Sequence, residues 1–257
     1  MLREGYEVTS AFEATHWWFL SRQSVFLQQV DRAVRAASPR TPRAQILDYG
    51  CGTGFNLSLL ATYGDVTGAD VAPEALGEFQ KGQQFPLIDL RQPLRAHEGR
   101  FDVIVALDVI EHFDDDIAGL RDISRLLAPD GQIVLTVPAY QWLWSGEDVI
   151  SQHRRRYTKR TLLAACRAAG LELCYVSYFN LSILPAVTAV IWARRLLAPQ
   201  AQRHSNLRPT APWLNRTLHA VTDLEARWVG AERISLPAGA SLVCRLRPVT
   251  EAHAAVA

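Results

Sequence analysis

The period of the apolar positions changes near residue 44 and divides the chain in two. From Ser10 to Ala37, apolar residues fall at Phe12, Trp17, Trp18, Phe19, Val25, Phe26, Val30 and Val34. That spacing is mostly helical and predicts one long amphipathic helix. SPRTPR (residues 38–43) then breaks the chain with its prolines. From Ala44 onward, short apolar runs alternate with helical stretches. The runs Gln45–Tyr49, Asp65–Ala69, Pro86–Ile88, Phe101–Ala106 and Gln132–Val137 are predicted strands. The stretches between them predict helices at Phe55–Tyr63, Pro73–Lys81 and Asp115–Leu127, with Pro73 as an N1 proline. Strand and helix in alternation imply a parallel sheet covered on both faces.

Farther along, Thr158–Ala169 is a predicted helix, with Thr158 as N-cap and Gly170 just past its end. Leu171–Phe179 and Ser241–Leu246 are predicted as the sixth and seventh strands. About sixty residues lie between those two strands, far beyond an ordinary connection. They hold two helical patterns, Leu181–Leu197 and Trp213–Val229, joined by the polar stretch Ala198–Pro212. The fold expected is α/β: a Rossmann-like, seven-stranded, mostly parallel sheet, with an N-terminal helix and a helical insertion before the last strand. The domain reading is a helical lid at 1–43, a core at 44–180, a helical cap at 181–239, and a last strand and tail at 240–257.

Composition narrows this little. The chain has 257 residues, 49% of them apolar, and a formal net charge of +1. That suits one α/β domain with a full core and gives no general case for nucleic-acid binding, which needs a basic surface. Cys51, Cys166, Cys174 and Cys244 are scattered, without metal-like spacing, and read as reduced thiols. MLREGYEVTS has no basic region followed by an apolar stretch, so no signal peptide is expected and the reading is cytoplasmic. Residues 181–197 are strongly apolar but too short to span a membrane, which takes roughly 20 apolar residues. They read as a cap helix or a contact with a membrane surface.

The sharpest signal is Asp48-Tyr-Gly50-Cys51-Gly52-Thr-Gly54, directly after the first strand and opening a helix. Glycines are needed where backbone turns sharply and a ligand comes close. The spacing is GxGxG, not the GxGxxG of a dinucleotide site. A carboxylate at Asp48 disfavours a pyrophosphate and favours a cationic ammonium or sulfonium. Asp70, Asp89 and Asp108 follow at the ends of the next predicted strands. An acid at Asp70 suits the ribose hydroxyls. One at Asp89 is placed for an exocyclic adenine amine. A single acid after a strand is usually a turn residue, but four in order beside this loop point to S-adenosylmethionine (SAM).

These motifs resemble those of class I SAM-dependent methyltransferases. ILDYGCGTG looks like the first motif and VTGADVAPEAL the second; FDVIVALDVIEHFDD and LAPDGQIVLTVPA are similar to the later ones. The resemblance implies that Gly50, Cys51, Gly52 and Gly54 frame the cofactor and that Asp48 lies near its methionine end. It matches Asp70 and Val71 to the ribose side, Asp89 and Leu90 to adenine, and Leu107 and Asp108 to the amino acid end. HWWFLSRQ (16–23) and HRRRYTKRTL (153–162) resemble a bacterial methyltransferase subgroup and, more distantly, ubiquinone-pathway O-methyltransferases. By that resemblance Arg22 clamps the cofactor carboxylate.

For the acceptor side, the sequence offers position only. His112, after the fourth strand, and His153, heading an arginine cluster, are the candidate catalytic bases. The plain alternative is helix-start packing for His112 and a structural hydrogen bond for His153. Trp17, Trp18, Trp144 and Arg155 are candidate acceptor contacts, against core packing for the rings and a solvated face for the arginine. No metal constellation is visible in the spacing. The expected reaction is O-methylation of a small, partly apolar acceptor, anionic or amphiphilic in character. A NAD-dependent oxidoreductase and a non-catalytic SAM-binding module are the alternatives.

Overall fold

The computed structural model describes residues 3–71, 85–197 and 207–249. The expected helix Pro73–Lys81 lies outside them. Strands β1 (Ala44–Tyr49), β2 (Gly64–Asp70), β3 (Leu87–Asp89), β4 (Phe101–Leu107), β5 (Leu127–Pro138), β6 (Leu171–Phe179) and β7 (Ser241–Pro248) form one sheet in the order β3-β2-β1-β4-β5-β7-β6. Neighbours from β3 to β5 pair in parallel, and β7 runs antiparallel to β5 and to β6. The seven expected strands are all present, so the α/β, mostly parallel reading holds. Strands β1 and β4 bury nearly every side chain, as parallel strands covered on both faces do.

Two apolar layers hold the helices to the sheet. On one face α3 (Phe55–Leu60) supplies Leu57 and Leu60, which pack with Phe26, Ile46, Val103 and Val105. On the other, α4 (Asp116–Arg125) and α6 (Lys159–Ala168) bury Leu120, Ile123, Leu162 and Cys166 with Ile104 and Leu135. Thr158 caps α6 as expected, and Gly170 follows it at φ +81°. A short helix, α5 (Gly146–Ser151), was not foreseen; Ser145 and Asp148 close a capping box at its start.

The single N-terminal helix expected over Ser10–Ala37 is two: α1 (Arg3–Phe12) and α2 (Trp17–Ala36). His16 separates them in extended conformation, and its ring nitrogen accepts from the Trp18 amide. The apolar spacing continues through this corner, where the Phe12 ring meets His16 edge-on. Periodicity therefore hides the break.

The insertion forms α7 (Leu184–Leu197) and α8 (Pro212–Gly230). α7 begins at Leu184 rather than Leu181, because Glu225 of α8 accepts from the Leu181 and Ser182 amides. α8 lies along α2: Ser24 donates to Asp223, Gln29 to the Gly230 carbonyl, and the Trp17 amide to Asn215. Val25, Ala226, Val229, Phe179 and Val243 share one buried cluster. The end of the insertion is thus part of the core. Among the described residues, no helix is long and apolar enough to cross a membrane.

Candidate active site

Chain connections leave β1 toward β2 and β3 on one side, and β4 toward β5 on the other. Their carboxyl ends therefore open a crevice at the switch point. The Gly-rich loop lines it. The Gly50 and Cys51 amides both donate to the Ala69 carbonyl, at 2.7 and 3.0 Å, which ties the loop to β2. Gly50 stands at φ +77°, and a Cβ there would lie 2.6 Å from Val109. Glycine is required on both counts. The Gly52 amide donates to Asp70 Oδ2 at 2.9 Å.

A cavity of about 1120 Å³ runs from this loop past the end of β4 to α7 and α8. Gly50, Cys51, Gly52, Asp70, Val71, Leu90, Leu107, Asp108 and Arg22 line it, as do Trp17, Trp18, His112 and His153. Most sequence-predicted positions therefore meet in one space. Asp48, Gly54, Asp89, Trp144 and Arg155 are not on its wall, for separate reasons.

Asp48 lies beneath the loop, nearly fully buried, and its Oδ2 has no partner. Burial, then the Asp70 charge, pushes its carboxyl up to about 7. Gly54 is the left-handed N-cap of α3, turned into the fold. Asp89 is held by its own neighbour: Arg91 donates from Nε and from Nη2, each at 2.8 Å. Those hydrogen bonds lower its pKa. Arg155 donates to the Phe113 and Asp114 carbonyls and pairs with Asp116. Trp144 offers its carbonyl to Arg195 of α7.

Arg22 reaches from α2 to the strand ends. It donates to Ser241 at 2.9 Å and to Thr136 at 3.1 Å, and it forms an ion pair with Asp108. The Trp18 and Phe179 rings flank its guanidinium at 5.7 and 5.5 Å. Asp108 itself is held at φ +54°, its amide donating to the Thr136 carbonyl. Over the loop, Thr53 donates to Glu13, and the Tyr6 hydroxyl lies 3.5 Å from Asp70.

The polar end of the cavity holds a cluster the sequence only half revealed. His153 Nδ1 is 2.9 Å from Asp148 Oδ1. Its Nε2 is 3.9 Å from Glu111 Oε1, and the His112 ring meets it edge-on at 4.8 Å. Glu111 is fully buried and neither carboxyl oxygen has a hydrogen-bond partner; burial, then Asp108, raises its pKa well above the ordinary value. Burial, then His153, pushes His112 down to about 4. Asp148 and Glu111 were missed because neither ends a strand. Glu111, His112 and His153 bring donor atoms within 4.8 Å of one another, although no spacing along the chain announced such a grouping.

The residues present fit SAM. The loop approaches closely without side chains, Asp70 stands ready for vicinal hydroxyls, and Asp48 leaves a buried oxygen unpartnered next to the loop. The acids Asp48 and Asp70 beside the loop disfavour a pyrophosphate and accommodate a cationic, phosphate-free nucleoside derivative. Fold and site together define a class I SAM-dependent methyltransferase.

The chain belongs to the methyltransferase domain family, whose model matches residues 19–176. It is 28% identical over 188 residues to the ubiquinone biosynthesis O-methyltransferase of Aromatoleum aromaticum, covering 65% of this chain and 76% of that one. It is 32% identical over 150 residues to the protein of the same name from Pseudomonas aeruginosa strain UCBPP-PA14, covering 50% of this chain and 65% of the relative. The chain thus spans 76% of the length of the first relative and 65% of the second. Among solved structures, it resembles a chain from the complex of the Haloferax volcanii Trm112 methyltransferase activator with a methyltransferase. That match has a TM-score of 0.55 at 15% identity over 98% of this chain and 99% of the other. A chain described as a sarcosine dimethylglycine methyltransferase from Galdieria sulphuraria matches with a TM-score of 0.51 at 12% identity, over 88% and 85% of the two chains. Both show the same fold. The oxidoreductase alternative finds no support in these relationships, and the chain is a SAM-dependent enzyme.

Proposed function

We propose that the chain methylates a hydroxyl oxygen of a small, partly apolar acceptor. The observation that carries this is the two-ended cavity. One end is the glycine loop with its carboxylates. The other is walled by Ile183, just before α7, by Val187 and Ile191 of α7, and by Leu214 and Leu218 of α8. His112 and His153 line the same cavity. In this reading Asp70 accepts from the ribose hydroxyls, and Arg22 turns from Asp108 to the cofactor carboxylate. Bound SAM supplies the electrophilic methyl group. The apolar wall orients the acceptor and excludes water. His153 takes the hydroxyl proton; His112, neutral and weakly basic, shapes the pocket.

The name shared by the Aromatoleum and Pseudomonas relatives supports oxygen as the methylated atom. The cap reading of 181–239 rests on the α7 and α8 side chains at the cavity, and the lid reading of 1–43 on Tyr6, Glu13 and Trp18. An amphiphilic acceptor, met at an anionic membrane surface, is favoured by one further observation. Trp192, Leu196 and Leu197 on α7 and Trp213, Leu224 and Trp228 on α8 are exposed, and Arg195 and Arg227 lie on the same helices.

The test is incubation with methyl-labelled SAM and a panel of hydroxyl, amine and carbon acceptors, read by mass spectrometry. Label on an acceptor oxygen is expected. Label confined to nitrogen or carbon acceptors overturns the oxygen assignment.

A further inference from the structure

Asp148 is the most heavily bonded carboxylate near the cavity, although no strand end or motif marks it. It is fully buried at the start of α5. Oδ1 faces His153 Nδ1 at 2.9 Å and accepts from Arg156 Nε at 2.7 Å. Oδ2 accepts from Arg156 Nη2 at 2.8 Å and from the Ser145 amide at 2.7 Å. Burial works to raise its pKa, but the hydrogen bonds from His153 and Arg156 win and hold it at about 2. It is therefore a carboxylate at every working pH, and a carboxylate only accepts. The proton it meets must sit on Nδ1 of His153. In the neutral ring Nε2 is then the bare nitrogen; it has no hydrogen-bond partner among the described residues and stands 3.9 Å from Glu111. The backbone reinforces the arrangement: the His153 amide donates to the Asp148 carbonyl and the Arg154 amide to the Glu111 carbonyl.

A buried carboxylate that holds a cavity-lining imidazole in one tautomer does more than stabilise a loop. We propose that Asp148 is a positioning residue for methyl transfer, fixing the Nδ1–H tautomer of His153 so that Nε2 receives the acceptor proton. This rests on the hydroxyl-acceptor reading above. The step balances. The proton leaves the acceptor hydroxyl for Nε2, and the oxygen's electron pair forms the bond to the methyl carbon. The bond from that carbon to sulfur breaks with its pair staying on sulfur, so the sulfonium becomes a neutral thioether. The imidazolium left behind lies between Asp148 and Glu111, and solvent recovers its proton.

The test begins with a measurement independent of any acceptor. Nitrogen-15 NMR of the full chain with S-adenosylhomocysteine, compared with His153→Gln to assign the ring, reports the tautomer. A protonated Nδ1 and a bare Nε2 are expected. A wild-type ring protonated on Nε2 with a bare Nδ1 overturns the proposal, whatever any variant does. Asp148→Asn, whose amide can donate to Nδ1, should shift the ring toward the other tautomer. With an acceptor from the panel above, the same change should lower kcat by about 100-fold, the scale of a general base. KM for SAM should stay unchanged, and Asp148→Glu should recover part of the rate. Wild-type kcat in a folded Asp148→Asn chain overturns the positioning role. Equal losses of SAM affinity and kcat also overturn it, since they mark structural damage. A chain that methylates only nitrogen or carbon defeats the hydroxyl reading, while the tautomer result still stands or falls alone.

Discussion

Arg22, from the first turns of α2, forms an ion pair with Asp108 in the cavity wall, on the far side of the sheet's switch point from the glycine loop. The guanidinium side chain is 11% exposed, and the Asp108 side chain is 34% exposed. The pair is thus anchored by its arginine and open at its acid. That asymmetry suits the proposed exchange of Asp108 for the cofactor carboxylate. In the proposed complex Arg22 pairs with the cofactor carboxylate, and removing one partner of a desolvated, hydrogen-bonded charge pair costs about 2–5 kcal/mol. Arg22→Ala is therefore expected to weaken SAM binding by about 30-fold or more, read by calorimetry. Arg22→Lys keeps the charge but loses the fork, and should fall between the two. Unchanged affinity in both variants would remove Arg22 from the cofactor site.

Gly50 makes a stricter test of the loop. A Cβ there would sit 2.6 Å from Val109, and the backbone is already at φ +77°. Gly50→Ala should cost on the order of 1–3 kcal/mol from the backbone conformation alone. A lowered Tm and a greatly reduced SAM affinity are expected together. Because the clash is with a side-chain methyl, adding Val109→Ala should return part of the Tm and little of the backbone cost. Full recovery in the double variant would mean that the left-handed conformation carries no strain.

How much of this was legible beforehand follows from which physical signals are local. The sheet was readable because each strand carries its own apolar run, and Asp70 and Asp108 because strand ends are found by counting. Asp89 shows the limit of that counting. It ends β3 as expected, yet Arg91, two residues on, takes both its oxygens. Trp144 and Arg155 stand near the cavity in sequence but neither lines it, and Arg155 is held instead by the Phe113 and Asp114 carbonyls. The break at His16 was hidden because a cap is a matter of conformation, not of apolar period. Asp148 meets His153 only five residues away, but through a tight turn in which Gln152 takes a positive φ of +60°. No pattern of residue types encodes that turn.

Asp48 gives the chain a distinctive dependence on pH. Burial pushes its carboxyl up to about 7 in the folded chain, from the ordinary 3.8. Between those values the folded state holds a proton that the unfolded state has lost. Stability from this group is therefore fully present below about pH 4, declines as pH rises, and is gone above about pH 7. The span is on the order of a few kcal/mol. Asp48→Asn should flatten this part of the curve in denaturant titrations. A cation bound nearby favours the ionised acid, so SAM binding at pH 6 should release a proton that Asp48→Asn does not release. Calorimetry in buffers of different ionisation heat measures it. A slope that survives the substitution assigns the effect elsewhere.

The acceptor wall is best tested without cutting the chain. Deleting residues 181–239 as a cap would also remove Ala226 and Val229, which pack against Val25, Phe179 and Val243 in the core. It would also strip Asp223 and the Gly230 carbonyl from their α2 partners. Loss of activity in such a deletion would report unfolding. Val187 separates the two roles, because it lies on α7, lines the cavity, and stands among the apolar residues beside Leu143 and Ile191. An aspartate there places a charge against the apolar half of the acceptor, at a cost of about 1–3 kcal/mol for a poorly matched polar group. Val187→Asp should therefore raise KM for the acceptor by about 10-fold or more while leaving SAM affinity near that of the parent. Val187→Leu, which keeps the wall apolar, should change KM much less. If the aspartate leaves acceptor KM untouched, α7 does not face the acceptor, and the apolar end of the cavity serves another purpose.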